Sequence, residues 1–208
     1  MASNIDEAVP PFGSATTAGV RANFLAAKEE ITDLQLARIL RLSSTDDLVE
    51  IFQQCAVNNT PQVVSFTGVT FINPASSESF EFDVLNNEIV FNETGWFNVT
   101  INCHVVRKIG GGGIADWSIH SQLKPPAGSF SNFPSSLRIT SLTGDVANHK
   151  RFVDLSFVSR VLEVGTRLRW LQTCSDVTKE VGIISYPEAG VLPSAAGVVL
   201  SMHRIAEL

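Results

Sequence analysis

The chain has 208 residues, of which 44% are hydrophobic and 17% are charged, and its formal net charge is −6. The hydrophobic fraction is sufficient for a packed core and excludes an intrinsically disordered chain. The acidic balance argues against a nucleic-acid-binding protein. No basic segment followed by an apolar run opens the chain, and no apolar stretch is long enough to span a bilayer. We therefore expect no signal peptide, no membrane partner, and assembly in a cytoplasm.

Residues 1–16 are expected to form an extended arm. Pro10 and Pro11 disfavour a helix in this segment, because proline has no backbone N–H and a fixed φ. Val9 and Phe12 flank the two prolines, so that the four residues present a short apolar segment. We interpret Val9, Pro10, Pro11 and Phe12 as a candidate anchor for another protein.

Residues 17–42 are predicted to form a helical stem, because VRANFLAAKEEITDLQLARIL is rich in strong helix formers. Apolar residues spaced four and three apart form a heptad seam, which is typical of a coiled coil. The seam consists of Val20, Phe24, Ala27, Ile31 and Leu34. It stops after about two heptads, since arginines occupy its next positions. An amphipathic helix packed against its own domain explains the same pattern, and the seam alone leaves both interpretations open.

Residues 43–60 are predicted to be a linker with a short helix. Ser44 and Asp47 have the spacing of a capping box, which marks the beginning of a helix.

From residue 61 to residue 208, strand-like segments alternate with turn signals such as Asn-Pro, Asn-Asn and Pro-Pro. The clearest strand follows Gly95, where apolar residues alternate with Asn98, Thr100 and Asn102 and indicate one dry and one wet face. The apolar set is Phe97, Val99, Ile101 and Cys103. Eight to ten such strands in about 150 residues predict a mainly β head, an antiparallel two-sheet sandwich of jelly-roll type.

The sequence contains no recognisable catalytic constellation. The run Gly110–Gly113 lacks the Gly-Lys-Ser/Thr ending of a phosphate-binding loop, and we interpret it as a flexible hairpin connection. The four histidines fall on separate segments without metal-ligand spacing: His104, His120, His149 and His203. The three cysteines form no CxxC pair and are interpreted as small buried hydrophobes: Cys55, Cys103 and Cys174. We therefore expect no enzymatic activity, no cofactor and no bound metal.

Two aromatic residues differ from the others. Phe130 and Phe133 lie in KPPAGSFSNFPSS, a loop without strand periodicity, whereas most of the other aromatic residues occupy alternating strand positions expected in the core. Burial in such a loop requires a partner or a second subunit. We therefore interpret Phe130 and Phe133 as a possible interface loop.

The head resembles the jelly roll of the tumour-necrosis-factor and complement-globular-head family across roughly residues 61–208. The resemblance rests on Gly95-Trp96-Phe97, on the turn at Gly165 that leads to Trp170, and on the apolar run after Gly197. The chain departs from the family at Thr166, where an acidic residue is common. The resemblance implies a jelly-roll head that assembles as a homotrimer, for which a coiled-coil stem is a natural partner.

The N-terminus resembles the opening of structural proteins of tailed bacteriophages, over about the first 35 residues. The resemblance rests on PPFGSATTAGVRANF, followed by AKEEI. It implies a virion component, with the major capsid protein as its partner. The stem would span only about 38 Å, which favours a decoration or cement protein on the capsid exterior that stabilises the phage head.

Two alternatives remain open. The first is a short head or tail fibre with a receptor-binding tip that contacts a host-surface glycan, although no residue pattern identifies such a glycan site. The second is a carbohydrate-active enzyme on a jelly-roll scaffold.

Overall fold

The structure is a computed structural model of the whole chain. It describes residues 17–35, 39–44, 49–71, 76–144, 147–189 and 194–207. The chain divides into two compact units, Met1–Ala37 and Arg38–Leu208. The proposed anchor Val9–Phe12 lies outside the described residues and stays a prediction.

The first unit contains one helix, α1 (Thr17–Gln35). All five seam positions lie within this helix. Val20 exposes 37% and Phe24 73% of its surface, and Ala27 is half-buried. The first half of the seam therefore presents apolar side chains that a single chain leaves uncovered. No helix among the described residues has the combination of length and apolar character that crossing a membrane requires.

The second unit is mainly β. Its strands, in chain order, are β1 (Ile39–Ser44), β2 (Phe52–Gln54), β3 (Gln62–Val63), β4 (Gly68–Phe71), β5 (Phe80–Asp83), β6 (Glu88–Phe91), β7 (Gly95–Arg107), β8 (Ile114–Lys124), β9 (Ser131–Asn132), β10 (Arg138–Thr143), β11 (His149–Val161), β12 (Arg167–Cys174), β13 (Val181–Ile184) and β14 (Val198–Ala206). A single helical turn, α2 (Ser76–Ser79), precedes β5, and two 3₁₀ turns cover Pro134–Ser136 and Val177–Lys179.

The change from helix to strand lies earlier than the predicted boundary between stem and head. The described helix covers Thr17–Gln35, and β1 begins at Ile39, within the segment 17–42 that was predicted to be helical. Leu40 and Leu42 on β1 are fully buried, while Arg41 between them is exposed. This alternation is that of a strand, but it covers too few residues to be distinguished from the end of a helical pattern by periodicity alone. The second compact unit therefore begins at residue 38 rather than at residue 61.

The predicted linker 43–60 also contains sheet structure. The residues expected to begin its short helix, 45–48, lie outside the described residues. Within the described segment 49–60 the regular element is a strand, β2, which pairs with β13. The segment therefore contributes to the sandwich.

The strands form two antiparallel sheets, as predicted. The first has the order β4-β1-β14-β7-β11. Beyond the end of β14, the same edge of β7 pairs with β13, and β13 pairs in turn with β2. The second has the order β10-β8-β12-β6-β5, with β9 beside β8 and β3 beside β12. β7 is the longest-paired strand of the first sheet, since all thirteen of its residues face a residue of β11.

The core lies between the two sheets, and β7 contributes to it as predicted. Phe97, Val99, Ile101 and Cys103 are each at most 1% exposed, whereas the polar residues between them are half-buried. The Phe97 ring packs edge-on against Phe91 of the opposite sheet, with 4.8 Å between the ring centroids. The predicted dry face of this strand is confirmed.

Two features fix the ends of β7. Gly95 has a φ of +149°, and a Cβ added there would lie 2.6 Å from the carbonyl oxygen of Ala206, so β14 approaches the strand too closely for any side chain. At the other end Arg107 is fully buried. Its guanidinium donates to four backbone carbonyls, those of Ile109, Gly112, Gly113 and Leu142. Leu142 belongs to the second sheet, so Arg107 also links the two sheets.

The glycine run around Arg107 differs from the prediction. It connects β7 of the first sheet to β8 of the second, so it is not a hairpin. Gly111, Gly112 and Gly113 all have positive φ values, between 57° and 88°. Lys179 donates a further hydrogen bond to the Gly111 carbonyl at 2.7 Å. Glycine is needed here because its freedom at positive φ lets the loop turn its carbonyls towards the two cations.

We predict that Phe97→Ala lowers the free energy of unfolding by roughly 3–5 kcal/mol, because it opens a cavity between the sheets. Asn98→Ala, the matched control on the outer face of the same strand, should change it by less than about 0.5 kcal/mol. Guanidinium unfolding followed by tryptophan fluorescence measures both values. Equal effects of the two variants would contradict the assigned faces.

We predict that Arg107→Met lowers the free energy of unfolding by more than about 2 kcal/mol, because it leaves four inward carbonyls without their donor while keeping the apolar stem. The 108–113 loop should then become sensitive to limited proteolysis. Arg151→Met, which changes an exposed arginine on β11, is the control. An Arg107→Met protein as stable and as protease-resistant as the control would show that the guanidinium does not order the loop.

Candidate interaction surface

The outward side chains of the first sheet form a surface in which exposed apolar groups and half-buried polar groups are mixed. We call it the outer face; it is built around the outward residues of β7. These residues are Trp96, Asn98, Thr100, Asn102 and His104. β11 lies on one side of them and β14 on the other.

One end of the outer face is apolar. Trp96 is 39% exposed, Val158 of β11 is 46% exposed, and Ile205 of β14 is 51% exposed. Ile205 lies in a β-bulge where β14 pairs with Trp96, and Arg160 places its guanidinium carbon 5.5 Å from the centre of the Trp96 ring. We call these four residues, Trp96, Val158, Arg160 and Ile205, the apolar patch. Tryptophan and arginine together are typical of the buried centre of protein–protein contacts.

The middle of the outer face is polar. Thr100 and Ser156 of β11 share a hydrogen bond of 2.7 Å between their hydroxyls, and Ser201 of β14 lies opposite Thr100 in register. Because these two hydroxyls already bond to each other, a partner could cover them without leaving either hydroxyl without a hydrogen bond.

Aromatic groups lie at the other end. Phe152 is 61% exposed, and its ring centroid is 5.3 Å from that of His104. Tyr186 lies on the other side of His104, under the ammonium of Lys150 at 4.3 Å. Burial lowers the pKa of His104, a backbone hydrogen bond at Ala196 opposes this, and the charge of Lys150 lowers it further. The lowered pKa favours a neutral imidazole, which suits a packing role.

The described residues do not gather a metal site, since no three His, Cys, Asp or Glu residues among them are placed to hold an ion. The four histidines lie in different surroundings: His104 on the outer face, His120 and His203 on β8 and β14, and His149 at the start of β11, bonded to the Thr143 carbonyl.

The three cysteines are buried free thiols, as predicted. Burial raises the pKa of Cys103. The Cys55 and Cys174 thiols are neighbours, and their hydrogen bond, followed by burial, raises the pKa of Cys55. The raised pKa keeps the Cys103 and Cys55 thiols protonated. The pKa of Cys174 is instead lowered, mainly by its hydrogen bond with Cys55 and also by a backbone hydrogen bond at Asp176, although burial opposes this.

The loop aromatics contact their own chain. Phe133 packs on the core, with its ring centroid 5.0 Å from that of Phe157. Phe130 lies on the surface of the second sheet, with the Arg169 guanidinium carbon 3.8 Å from its ring centre. The sandwich itself therefore supplies partial burial of Phe133, which the sequence predicted to come from a partner or a second subunit. For Phe130 an interface role stays a prediction.

The sequence analysis recognised the polar half of the outer face and missed its apolar half. The missed residues are Trp96, Phe152, Val158 and Ile205. A signal was present in RFVDLSFVSRV of β11, where Phe152 and Val158 occupy the positions that should be polar if that face were solvated. Apolar residues on both faces of a strand indicate that both faces are covered.

Comparison of the chain with protein-family models gave no match. A search of curated proteins gave no match either. Function is therefore inferred from the surfaces described above and from the resemblances noted in the sequence.

Proposed function

We propose that the protein is a non-enzymatic structural component of a phage virion, a homotrimer that decorates the capsid exterior and stabilises the head by binding the major capsid protein. The observation that carries this proposal is the presence of two uncovered apolar surfaces in one chain. Val20 and Phe24 are exposed on α1, and the apolar patch is exposed on the sandwich. Exposed apolar surface of this kind marks a site of association.

We propose that the sandwich is a jelly roll, and the strand order supports this. The runs β4-β1-β14-β7-β11 and β5-β6-β12-β8-β10 belong to two antiparallel sheets of seven strands each. From β6 to β8 and again from β10 to β13, each successive strand lies in the opposite layer. Repeated crossing between two layers is the connectivity of jelly-roll sandwiches.

Three-fold assembly follows from the resemblance of the head and is compatible with the surfaces. A three-fold interface is heterologous, so that one surface of each subunit meets a different surface of the next, and the ring closes. The heptad seam of α1 supplies a second, parallel contact. Two separate contacts in one assembly strengthen each other, because the second forms at a high effective concentration.

The arm is the proposed contact with the shell. A dozen extended residues reach about 40 Å, enough for Val9, Pro10, Pro11 and Phe12 to bind an adjacent capsid subunit. Three arms in one trimer act together, so that each contact can be weak. A protein that binds the assembled shell and not its free subunits stabilises the shell through linkage.

The fibre interpretation is the second candidate, with a receptor-binding head in place of a capsid clamp. The two differ in location. Electron microscopy of labelled particles should show the protein distributed over the capsid if it is a decoration protein, and at single vertices or at the tail if it is a fibre. A carbohydrate-active enzyme would instead release sugars from a polysaccharide without any particle.

We predict that light scattering of the purified chain gives three times the chain mass of 22.5 kDa. Val158→Asp should lower the assembly's mass or its stability to dilution, because it places a charge within the apolar patch. Ile139→Asp is the matched control, since Ile139 is 60% exposed on the second sheet. A monomer at every concentration, or equal effects of the two variants, would contradict the proposed trimer surface.

We predict that deleting residues 1–16 leaves a folded trimer that no longer binds particles. Wild-type protein and the truncated protein are mixed with particles that lack it, and bound protein is measured after sedimentation. Particles without the protein should also release their genome at a lower temperature than decorated ones. Equal binding of the truncated protein would show that the arm is not the anchor.

A further inference from the structure

The outward face of the second sheet carries a cluster of cations and amides that the proposed assembly does not use. It contains Lys124 and Gln122 of β8, Arg169 of β12, Asn132 of β9, and Phe130 just before β9. Gln122 faces Arg169 in register on one side and Asn132 on the other. We call these five residues the donor cluster.

Arg169 is held in one orientation. Its Nε and Nη2 atoms donate to the Gln122 Oε1 atom at 2.9 and 2.7 Å, and its guanidinium lies over the Phe130 ring. The Gln122 Nε2 atom in turn donates to the Asn132 Oδ1 atom at 2.8 Å. The stacking on Phe130 and the bidentate hydrogen bond remove most of the rotamer freedom of the Arg169 side chain. A ligand that binds here therefore loses little affinity to the ordering of this side chain.

The cations of the donor cluster are not neutralised. Within the described part of the chain, neither Arg169 nor Lys124 has a carboxylate at ion-pair distance, whereas Arg167 is bonded to Glu88 at 2.7 Å and to Asp83 at 3.1 Å. The Lys124 ammonium instead lies 5.6 Å from the centre of the Phe130 ring. Two unneutralised cations side by side on a chain of net charge −6 form a local site for an anion.

Most of the hydrogen-bonding groups of the donor cluster that are still unpaired are donors. The Arg169 Nη1 atom and the Lys124 ammonium carry N–H groups that the described contacts leave uncommitted, and the Asn132 amide nitrogen adds two more. The Gln122 and Asn132 oxygens already accept. A matching ligand therefore presents acceptor oxygens, with a carboxylate for the guanidinium and hydroxyl oxygens for the amide.

A strand-forming peptide does not fit this surface. At Gln122 the backbone of β8 is paired on both edges, with β12 and with β9, so no free edge is available for an added strand. A sugar ring needs no such edge, because it binds through planar amide, guanidinium and aromatic side chains standing out from the sheet. We propose that the donor cluster binds an acidic saccharide, a uronic-acid unit whose carboxylate lies on Arg169 and Lys124.

The test is a calorimetric titration of the full chain with a galacturonic acid trimer. The matched ligand is the same trimer with each carboxylate reduced to the alcohol, which removes the charge and keeps the ring. We expect the acidic trimer to bind at least about tenfold more tightly, as expected from loss of a charge-assisted hydrogen bond. Equal affinity for the two trimers, or no binding of the acidic one, would overturn the proposal.

Variants locate the site. Arg169→Gln and Lys124→Gln should each weaken binding about tenfold or more, and Phe130→Ala should weaken it less. Arg138→Gln, on β10 of the same sheet and exposed, removes one positive charge outside the donor cluster and should leave binding unchanged. An equal loss in Arg138→Gln would mean that the net charge attracts the sugar, and the proposed site would be wrong.

A glutamate trimer provides the last comparison. If it binds as tightly as the acidic sugar, and Arg169→Gln abolishes both, the donor cluster recognises carboxylates on peptides and the saccharide assignment is overturned. The outcome is independent of the proposed trimer and of capsid binding, since thermal melting and light scattering of the same variants report folding and assembly separately.

Discussion

The pairing of β7 along both of its edges is the constraint on which the rest of the sandwich depends. β11 lies on one edge over the full length of the strand, and β14 and β13 share the other. A slip of one residue would exchange Phe97 and Val99 for Asn98 and Thr100 on the core side. The cost of burying those amide and hydroxyl groups between the sheets enforces the register. The same register places Trp96 on the outer face, so that the core and the interaction surface are set together.

Arg107 shows how the fold accommodates a buried charge that has no carboxylate at hydrogen-bond distance among the described residues. Carbonyl dipoles replace the lost water, and the loop that supplies most of them needs glycines because its φ values are positive. The guanidinium is also bonded to Leu142 of the opposite sheet. One side chain thereby closes the end of the sandwich and shapes the connection from β7 to β8. A second set of hydrogen bonds also links the two sheets. The Trp117 indole N–H donates to the Gln172 side chain, which in turn donates to the Gln53 carbonyl of the first sheet.

The two sheets present different surfaces to the outside. The outer face of the first sheet combines exposed apolar side chains with the mutually bonded hydroxyls of Thr100 and Ser156, as suits a contact between proteins. The second sheet exposes the donor cluster, in which an oriented guanidinium and a lysine have no carboxylate partner among the described residues. The proposed assembly uses the first kind of surface and leaves the second free for solutes. Because the two surfaces are on opposite layers, the proposals about them succeed or fail separately.

The sequence by itself determined the features that depend on local periodicity and composition. These are the mainly β sandwich, the helix around the heptad seam, and the dry face of the strand after Gly95. Side chains on a strand alternate by geometry alone, so the assignment of Phe97 and Asn98 to opposite faces required no knowledge of neighbours.

Only the tertiary structure decided what depends on partners distant in the chain. Leu40 and Leu42 form a strand because β14 and β4 pair with β1 on either side, and six residues carry too little periodicity to show it. The glycine run is ordered because Arg107 and Lys179 bind its carbonyls. Phe133 is partly buried because Phe157 lies beside it, and Arg169 is oriented by Gln122 on a neighbouring strand. Thr166 closes its own turn through a hydrogen bond to the Glu163 carbonyl, so an acidic residue is not needed there. Each of these contacts, apart from those of Thr166 and of Arg107 with the nearby glycines, joins residues that only the pairing and stacking of the two sheets bring together.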